Sequence, residues 1–215
     1  MNLPVKNLTV GAVRITPLTE ASLDSVVEIH LAAFPDYMNT QLGRGYLHAF
    51  LHWFLGRQDT VALLASSESG QVLGYAVGAP VSYGSELNRA LLPSALLAVV
   101  AKPWILASPR IRRTAWQRIQ SMFGRKEAVK EKPLLPMHTL SLVSIGVDPQ
   151  ARGRSVGEQL MKAWEEGAKQ IGCASLRLSV YPQNAGARRF YERNGWIPFQ
   201  ESVPEGHAMY YSKIF

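Results

Sequence analysis

Arg152-Gly153-Arg154-Ser155-Val156-Gly157 places two guanidinium groups and two glycines within six residues. They stand where an apolar run, Leu140 to Val147, gives way through Asp148-Pro149-Gln150 to a helical pattern. The open end of a helix carries unpaired N–H groups and the positive pole of the helix dipole, so such a turn suits a phosphate. Gly153 and Gly157 would let backbone approach a ligand closely, and Arg152 and Arg154 add charge. An ordinary tight turn would use the same residues, and the loop alone leaves both readings open.

A second constellation follows. Asn184 closes a strand-like segment and can cap the next helix. Tyr191 lies two helical turns further on and shares a face with Ala187. A polar cap and a phenol in line along one helix face suit an extended ligand. The competing reading is a packed aromatic whose hydroxyl is already satisfied.

The elements that must position these groups can be traced along the chain. Residues 9–19 read as a first strand, 20–34 as a helix ended by Pro35, and 38–57 as a second helix. Glu68-Ser69-Gly70 turns a hairpin between strands at 59–67 and 71–81. Residues 84–136 form a long departure with two helical segments split at Lys102-Pro103. A strand at 140–147, a helix at about 153–171, a strand at 175–180 and a helix at 185–194 closed by Gly195 come next. A strand pair, 196–202 and 207–215, completes the chain. Val156, Leu160, Trp164, Ala168 and Ile171 recur three or four apart, a stripe that would dock the loop's helix. The order predicts an α/β class: a mixed central sheet with flanking helices, in one domain over 1–215, with a helical insertion at about 84–136 before the central strand.

Composition adds limits. Hydrophobic residues make up 47% and charged residues 18%, the balance of a folded domain. A lone cysteine, Cys173, allows no internal disulfide, fits a reducing compartment and reads as a small core residue. The first thirteen residues lack the apolar run of a signal peptide, which predicts a cytoplasmic protein. Residues 90–101 are apolar but too short to span a bilayer, and Arg89, Pro93 and Lys102 interrupt them; they read as a buried or interfacial helix. Between 101 and 132 stand nine basic and two acidic residues, a surplus equal to the whole formal charge of +7. That block points to an anionic partner or to a solvated face. Residues 103–123 mix Trp104, Ile105, Leu106, Ile111, Trp116, Ile119 and Phe123 with four arginines, so they read either as a lid helix or as a peripheral membrane-surface element.

Taken together, the two constellations resemble the GNAT superfamily of acyl-CoA-dependent N-acyltransferases. Its phosphate loop has the pattern (Arg/Gln)-x-x-Gly-x-(Gly/Ala), met by residues 152–157 except that Ser155 stands at the middle position. Its second signature, Asn-x-x-Ala-x-x-x-Tyr-x-x-x-Gly-(Phe/Trp), is met in full by Asn184, Ala187, Tyr191, Gly195 and Trp196. The element order also matches outside the insertion. A left-handed backbone at Ser155 would cost about 1 kcal/mol, which predicts weakened but retained cofactor binding.

The resemblance implies acetyl-CoA, or another acyl-CoA, as cosubstrate in a V-shaped opening between the central strand and the one at 175–180. The backbone of Ile145, Gly146 and Val147 would pair with the pantetheine amides. Arg152, Gly153, Arg154, Ser155, Val156 and Gly157 would hold the pyrophosphate, with Asn184 and Ala187 beside the pantetheine arm. Tyr191 would be the catalytic acid that protonates the departing sulfur, and the N–H of Val147 would polarise the carbonyl. It implies no metal and no nucleic-acid partner. Candidates for a general base are His138, Glu86, His30 and Asp36, and Tyr37 lies in the loop that shapes the acceptor pocket. The expected activity is N-acetylation of a primary amine of a small molecule, an amino sugar or other compact amine. The alternatives are a protein or peptide acceptor, a longer-chain acyltransferase working at a membrane surface, and a CoA-binding sensor without turnover.

Overall fold

A computed structural model describes residues 8–10, 13–107, 138–199, 203 and 207–215. The basic stretch from Arg110 to Lys132, and with it the second predicted helical segment beyond Ala107, lies outside the described residues; Pro103–Ala107 form a 3-10 turn.

Among the described residues eight strands form one sheet: β1 (Leu8–Val10), β2 (Val13–Pro17), β3 (Val61–Ser67), β4 (Val72–Pro80), β5 (Thr139–Val147), β6 (Ser175–Val180), β7 (Ile197–Pro198) and β8 (Met209–Ile214). They run in the order β1-β2-β3-β4-β5-β6-β8-β7. Every pairing is antiparallel except β5 with β6. That parallel pairing stops at Leu142↔Leu178. Beyond it the two strands part, and the rest of β5 turns an unpaired backbone edge toward β6.

Helices cover both faces of the sheet. On one lie α1 (Leu23–Ala33), α2 (Met38–Leu42), α3 (Arg44–His52) and α4 (Tyr83–Ala101). Leu23, Val26, Leu47, Phe50, Leu87 and Leu91 form a buried cluster there with Tyr75 and Val77 of the sheet. On the other lies α5 (Val156–Gln170), whose Val156, Leu160, Trp164 and Ala168 are all buried, as the apolar stripe predicts. The Trp164 indole donates to the Val61 carbonyl at 3.2 Å. Its ring occupies the space above Gly78, where a Cβ would collide with it and come within 2.7 Å of the Ser141 carbonyl. A last helix, α6 (Ala185–Arg193), follows β6.

Two elements differ from the sequence reading. The first predicted strand is two short antiparallel ones, β1 and β2, with Val10 paired to Val13. The helix predicted over 38–57 is two, α2 and α3, broken at Gly43, whose φ of 92° ends one helix and starts the next. Apolar periodicity runs through that break, so the pattern alone hides it. The predicted insertion begins as α4, which continues through Pro93. Pro93 has no N–H to offer the Arg89 carbonyl, but it is exposed, and water can take that bond.

A β-bulge decides what β5 shows to each face. Pairing with β4 passes from Val77↔Ser144 to Gly78↔Leu142 and leaves Val143 as the extra residue. Before the bulge Leu140 and Leu142 face the α5 core, and after it Ile145 and Val147 do. Ser144 and Gly146 are thereby turned toward the α1–α4 face, against Tyr75.

Candidate functional site

The parting of β5 and β6 opens a cleft of about 1050 Å³. Its first wall is the turn between β5 and α5. The Asp148 N–H donates to the Leu73 carbonyl at 2.8 Å, and the Asp148 carboxylate accepts from the Gln150 N–H at 2.8 Å. These bonds pin the end of β5 to its neighbour before the chain enters the loop. Gly153 and Ser155 both take left-handed backbone, with φ of 80° and 55°. The first bond of the α5 ladder is donated by Gln159 to the Ser155 carbonyl, so the amides before it stand at the open end of a firmly docked helix. Arg152, Gly153, Ser155, Val156 and Gly157 line the cleft. Arg154 and Gly146 do not; Ile145 and Val147 do line it.

The second wall is α6. The Asn184 side chain caps it by accepting from the Ala187 N–H at 3.1 Å. Asn184, Ala187 and Tyr191 all line the same cleft, as their shared helix face requires. Tyr191 sits among Phe190, Tyr211 and Trp196, with ring centroids 5.5, 6.1 and 6.4 Å away. Those neighbours are themselves tied down. The Tyr211 hydroxyl donates to Glu192, the Trp196 indole donates to Glu165, and Lys213 bridges Glu165 and the Asn194 carbonyl. Burial pushes the Tyr191 phenol well above its ordinary pKa, and the nearby Tyr37 phenol pushes it further. Tyr191 therefore stays protonated at neutral pH and can give a proton.

The third wall belongs to α1, α2, α3, α4 and the loop after α1: His30, Phe34, Tyr37, Asn39, Phe50, Tyr83, Leu87 and Asn88. His30 is the one proposed base that lines the cleft. Glu86 is engaged with Arg57 at 2.7 Å outside it, and Asp36 is not among the lining residues. His138 stands at the start of β5, the strand end away from the opening, and does not line the cleft either.

His30 heads a chain of polar groups that runs from the buried His30 and Tyr75 to the half-buried Ser144. Its Nδ1 lies 2.5 Å from the Tyr75 hydroxyl, which lies 2.7 Å from the Ser144 hydroxyl. His30 Nε2 is buried without a hydrogen-bond partner among the described residues. Desolvation lowers the imidazole to a pKa of about 4, so the ring is uncharged at neutral pH. Burial raises the Tyr75 phenol, against a smaller opposing effect of its bond to Ser144. Tyr75 and Ser144 were not legible as site residues. The one signal was a phenol in the otherwise apolar strand Val72–Pro80, a group that needs a buried partner.

Comparison with known proteins gives one picture. Residues 124–196 match the sequence model of the acetyltransferase (GNAT) family. The fold is shared with a GNAT-family acetyltransferase from Staphylococcus aureus Mu50, at 14% identity over 94% of this chain and 99% of that one, TM-score 0.58. It is shared with the ribosomal-protein-S18-alanine N-acetyltransferase of Escherichia coli, at 13% identity over 93% and 90%, TM-score 0.54. PaiA N-acetyltransferase of Thermoplasma acidophilum, solved in complex with coenzyme A, aligns at 13% identity over 95% and 100%, TM-score 0.53. Among the described residues no helix is long and apolar enough to cross a membrane.

Proposed function

We propose that this chain, a member of the GNAT acetyltransferase family and so an acyl-CoA-dependent N-acetyltransferase, transfers an acetyl group from acetyl-CoA to a primary amine of a small molecule. One observation carries the reading. A single cleft runs from the open end of α5, past the capped α6 and Tyr191, to a pocket roofed by α4. We read the chain as one cytoplasmic domain over 1–215 with a helical insertion at about 84–136, whose α4 supplies the roof.

The residues present fit acetyl-CoA in kind. Arg152 and the amides of residues 153–157 suit a pyrophosphate, with Arg154 nearby but not among the lining residues. The unpaired edge of Ile145, Gly146 and Val147 suits the amides of a pantetheine arm, as an added strand would. Asn184 spends its carbonyl oxygen on the cap and keeps its amide N–H groups for the same arm. Ala187 leaves room beside it.

Acetyl-CoA supplies an acetyl thioester; the remaining work falls to this chain. The pocket holds the amine so that its nitrogen forms a bond to the acetyl carbon while the carbon–sulfur bond breaks. The Val147 N–H polarises the carbonyl oxygen. Tyr191 donates its phenol proton to the departing sulfur, and the acceptor nitrogen releases a proton to solvent. No metal is needed for any of these steps. CoA release from acetyl-CoA across a panel of primary amines tests the proposal; acetyl-CoA binding without transfer to any amine would favour a sensor.

A second reading has its own support. Leu96, Leu97 and Val100 of α4 and Trp104 just after it are 58%, 71%, 78% and 67% exposed, immediately before the basic stretch. Exposed apolar residues followed in sequence by a basic stretch suit peripheral contact with an anionic membrane and a longer acyl chain. Anionic vesicles should then retain the protein in a salt-sensitive way. A peptide acceptor would need a cleft open at α4, which Tyr83, Leu87 and Asn88 instead wall in.

A further inference from the structure

The third wall of the cleft is mostly aromatic: Phe34, Tyr37, Phe50 and Tyr83 stand in it with Leu87, His30, Asn39 and Asn88. Among the described residues, the charged side chains that line the cleft, Arg152, Glu158 and Arg193, all belong to the loop, α5 and α6. Phe34 meets Tyr37 edge to face at 5.2 Å and His30 at 5.0 Å, so the aromatic surface is continuous. The imidazole on this wall, His30, is buried, joined to Tyr75 and through it to Ser144, and is itself uncharged at neutral pH.

An aliphatic amine reaches such a wall as an ammonium ion. Taking it out of water costs several kcal/mol. Among the described residues no carboxylate of this wall is there to pair with it. Aromatic faces return about 2 kcal/mol or more through cation–π attraction when the cation is desolvated, which offsets only part of that cost. The nitrogen must also lose its extra proton before it can attack, and an uncharged His30 of low basicity does little to draw it off. An amine attached to an aromatic ring avoids both costs. It is unprotonated at neutral pH, and its ring gains the offset and edge contacts that aromatic walls offer, about 0.5–1.5 kcal/mol each beyond burial.

We propose that the acceptor is an aromatic primary amine, bound uncharged with its ring among Phe34, Tyr37, Phe50 and Tyr83. This rests on the acetyltransferase reading above and narrows its acceptor from amines in general to arylamines, away from amino sugars.

The test compares aniline, benzylamine and glucosamine as acceptors for the full chain near neutral pH, with acetyl-CoA binding measured by calorimetry on the same preparation. Aniline and benzylamine share a ring and differ in charge. The expected kcat/KM for aniline exceeds both others by about tenfold or more. Asn88→Asp, which adds a carboxylate to the wall with little change of shape, should shift the ratio several-fold toward benzylamine; the wild-type ratio decides if that variant does not fold. Bound acetyl-CoA with benzylamine or glucosamine preferred, or with no transfer to aniline, overturns the arylamine assignment alone. Failure to bind acetyl-CoA overturns the reading beneath it.

Discussion

The Tyr75 ring lies against Gly146, so that a Cβ placed on Gly146 would come within 2.7 Å of Tyr75 Cε1 and 3.1 Å of Phe34 Cε2. The bulge at Val143 turns Gly146 to this face, and the glycine lets the phenol reach Ser144 and His30. Gly146→Ala should cost about 1–3 kcal/mol by overpacking, read as a shift in the urea midpoint, and should raise acceptor KM as Tyr75 and Phe34 move. Gly45→Ala, with nothing within 4 Å of its Cβ, should be neutral or stabilising. Equal effects of the two substitutions would contradict this packing.

Tyr191→Phe should lower kcat by about ten- to a thousandfold and leave the acetyl-CoA dissociation constant unchanged, since the hydroxyl acts as sulfur departs. The aromatic cage of Phe190, Trp196 and Tyr211 remains for the phenyl ring, so stability should hold. Single-turnover rates check it, and an unchanged chemical step would remove Tyr191 from the mechanism.

Acid should destabilise the fold through His30. Its pKa falls from 6.5 to about 4 on burial, so the unfolded chain binds the proton more tightly. The stability this represents, about 3 kcal/mol at most, is present above pH 6.5 and is lost as pH falls toward about 4. Tyr75 is the titratable group bonded to the ring, and Phe34 and Phe50 provide its other ring contacts. His30→Gln should flatten the stability profile in that window. A profile as steep as wild type would mean that other groups carry the acid sensitivity.

What the sequence disclosed follows from the range of each signal. The loop at 152–157 and the face shared by Asn184, Ala187 and Tyr191 are local patterns, and helix geometry converts their spacing directly into position. The stripe from Val156 to Ala168 fixed α5 for the same reason. The break at Gly43 was hidden because α2 and α3 are apolar on both sides of it. The chain His30–Tyr75–Ser144 joins α1, β4 and β5 across 45 and 69 residues of sequence. It also depends on a bulge that reverses which side chains of β5 face inward, and no periodicity announces such a reversal.

Ser155→Gly should stabilise the fold by about 1 kcal/mol or less, because a left-handed φ of 55° strains serine and suits glycine. Thermal melts would check it. A lower melting temperature would mean that the serine hydroxyl supports the loop.

Calorimetric titration of acetyl-CoA into the wild-type chain and into Arg152→Ala/Gly157→Trp tests the account at its centre. Gly157 stands at the start of α5 with the Phe190 ring 3.4 Å from where a Cβ would be, so an indole there blocks backbone approach while the missing guanidinium removes charge. The account predicts micromolar binding to wild type, a rise in its melting temperature with ligand, and no measurable heat from the double variant once circular dichroism shows it folded. Binding of equal strength to both proteins, or to neither, would contradict it.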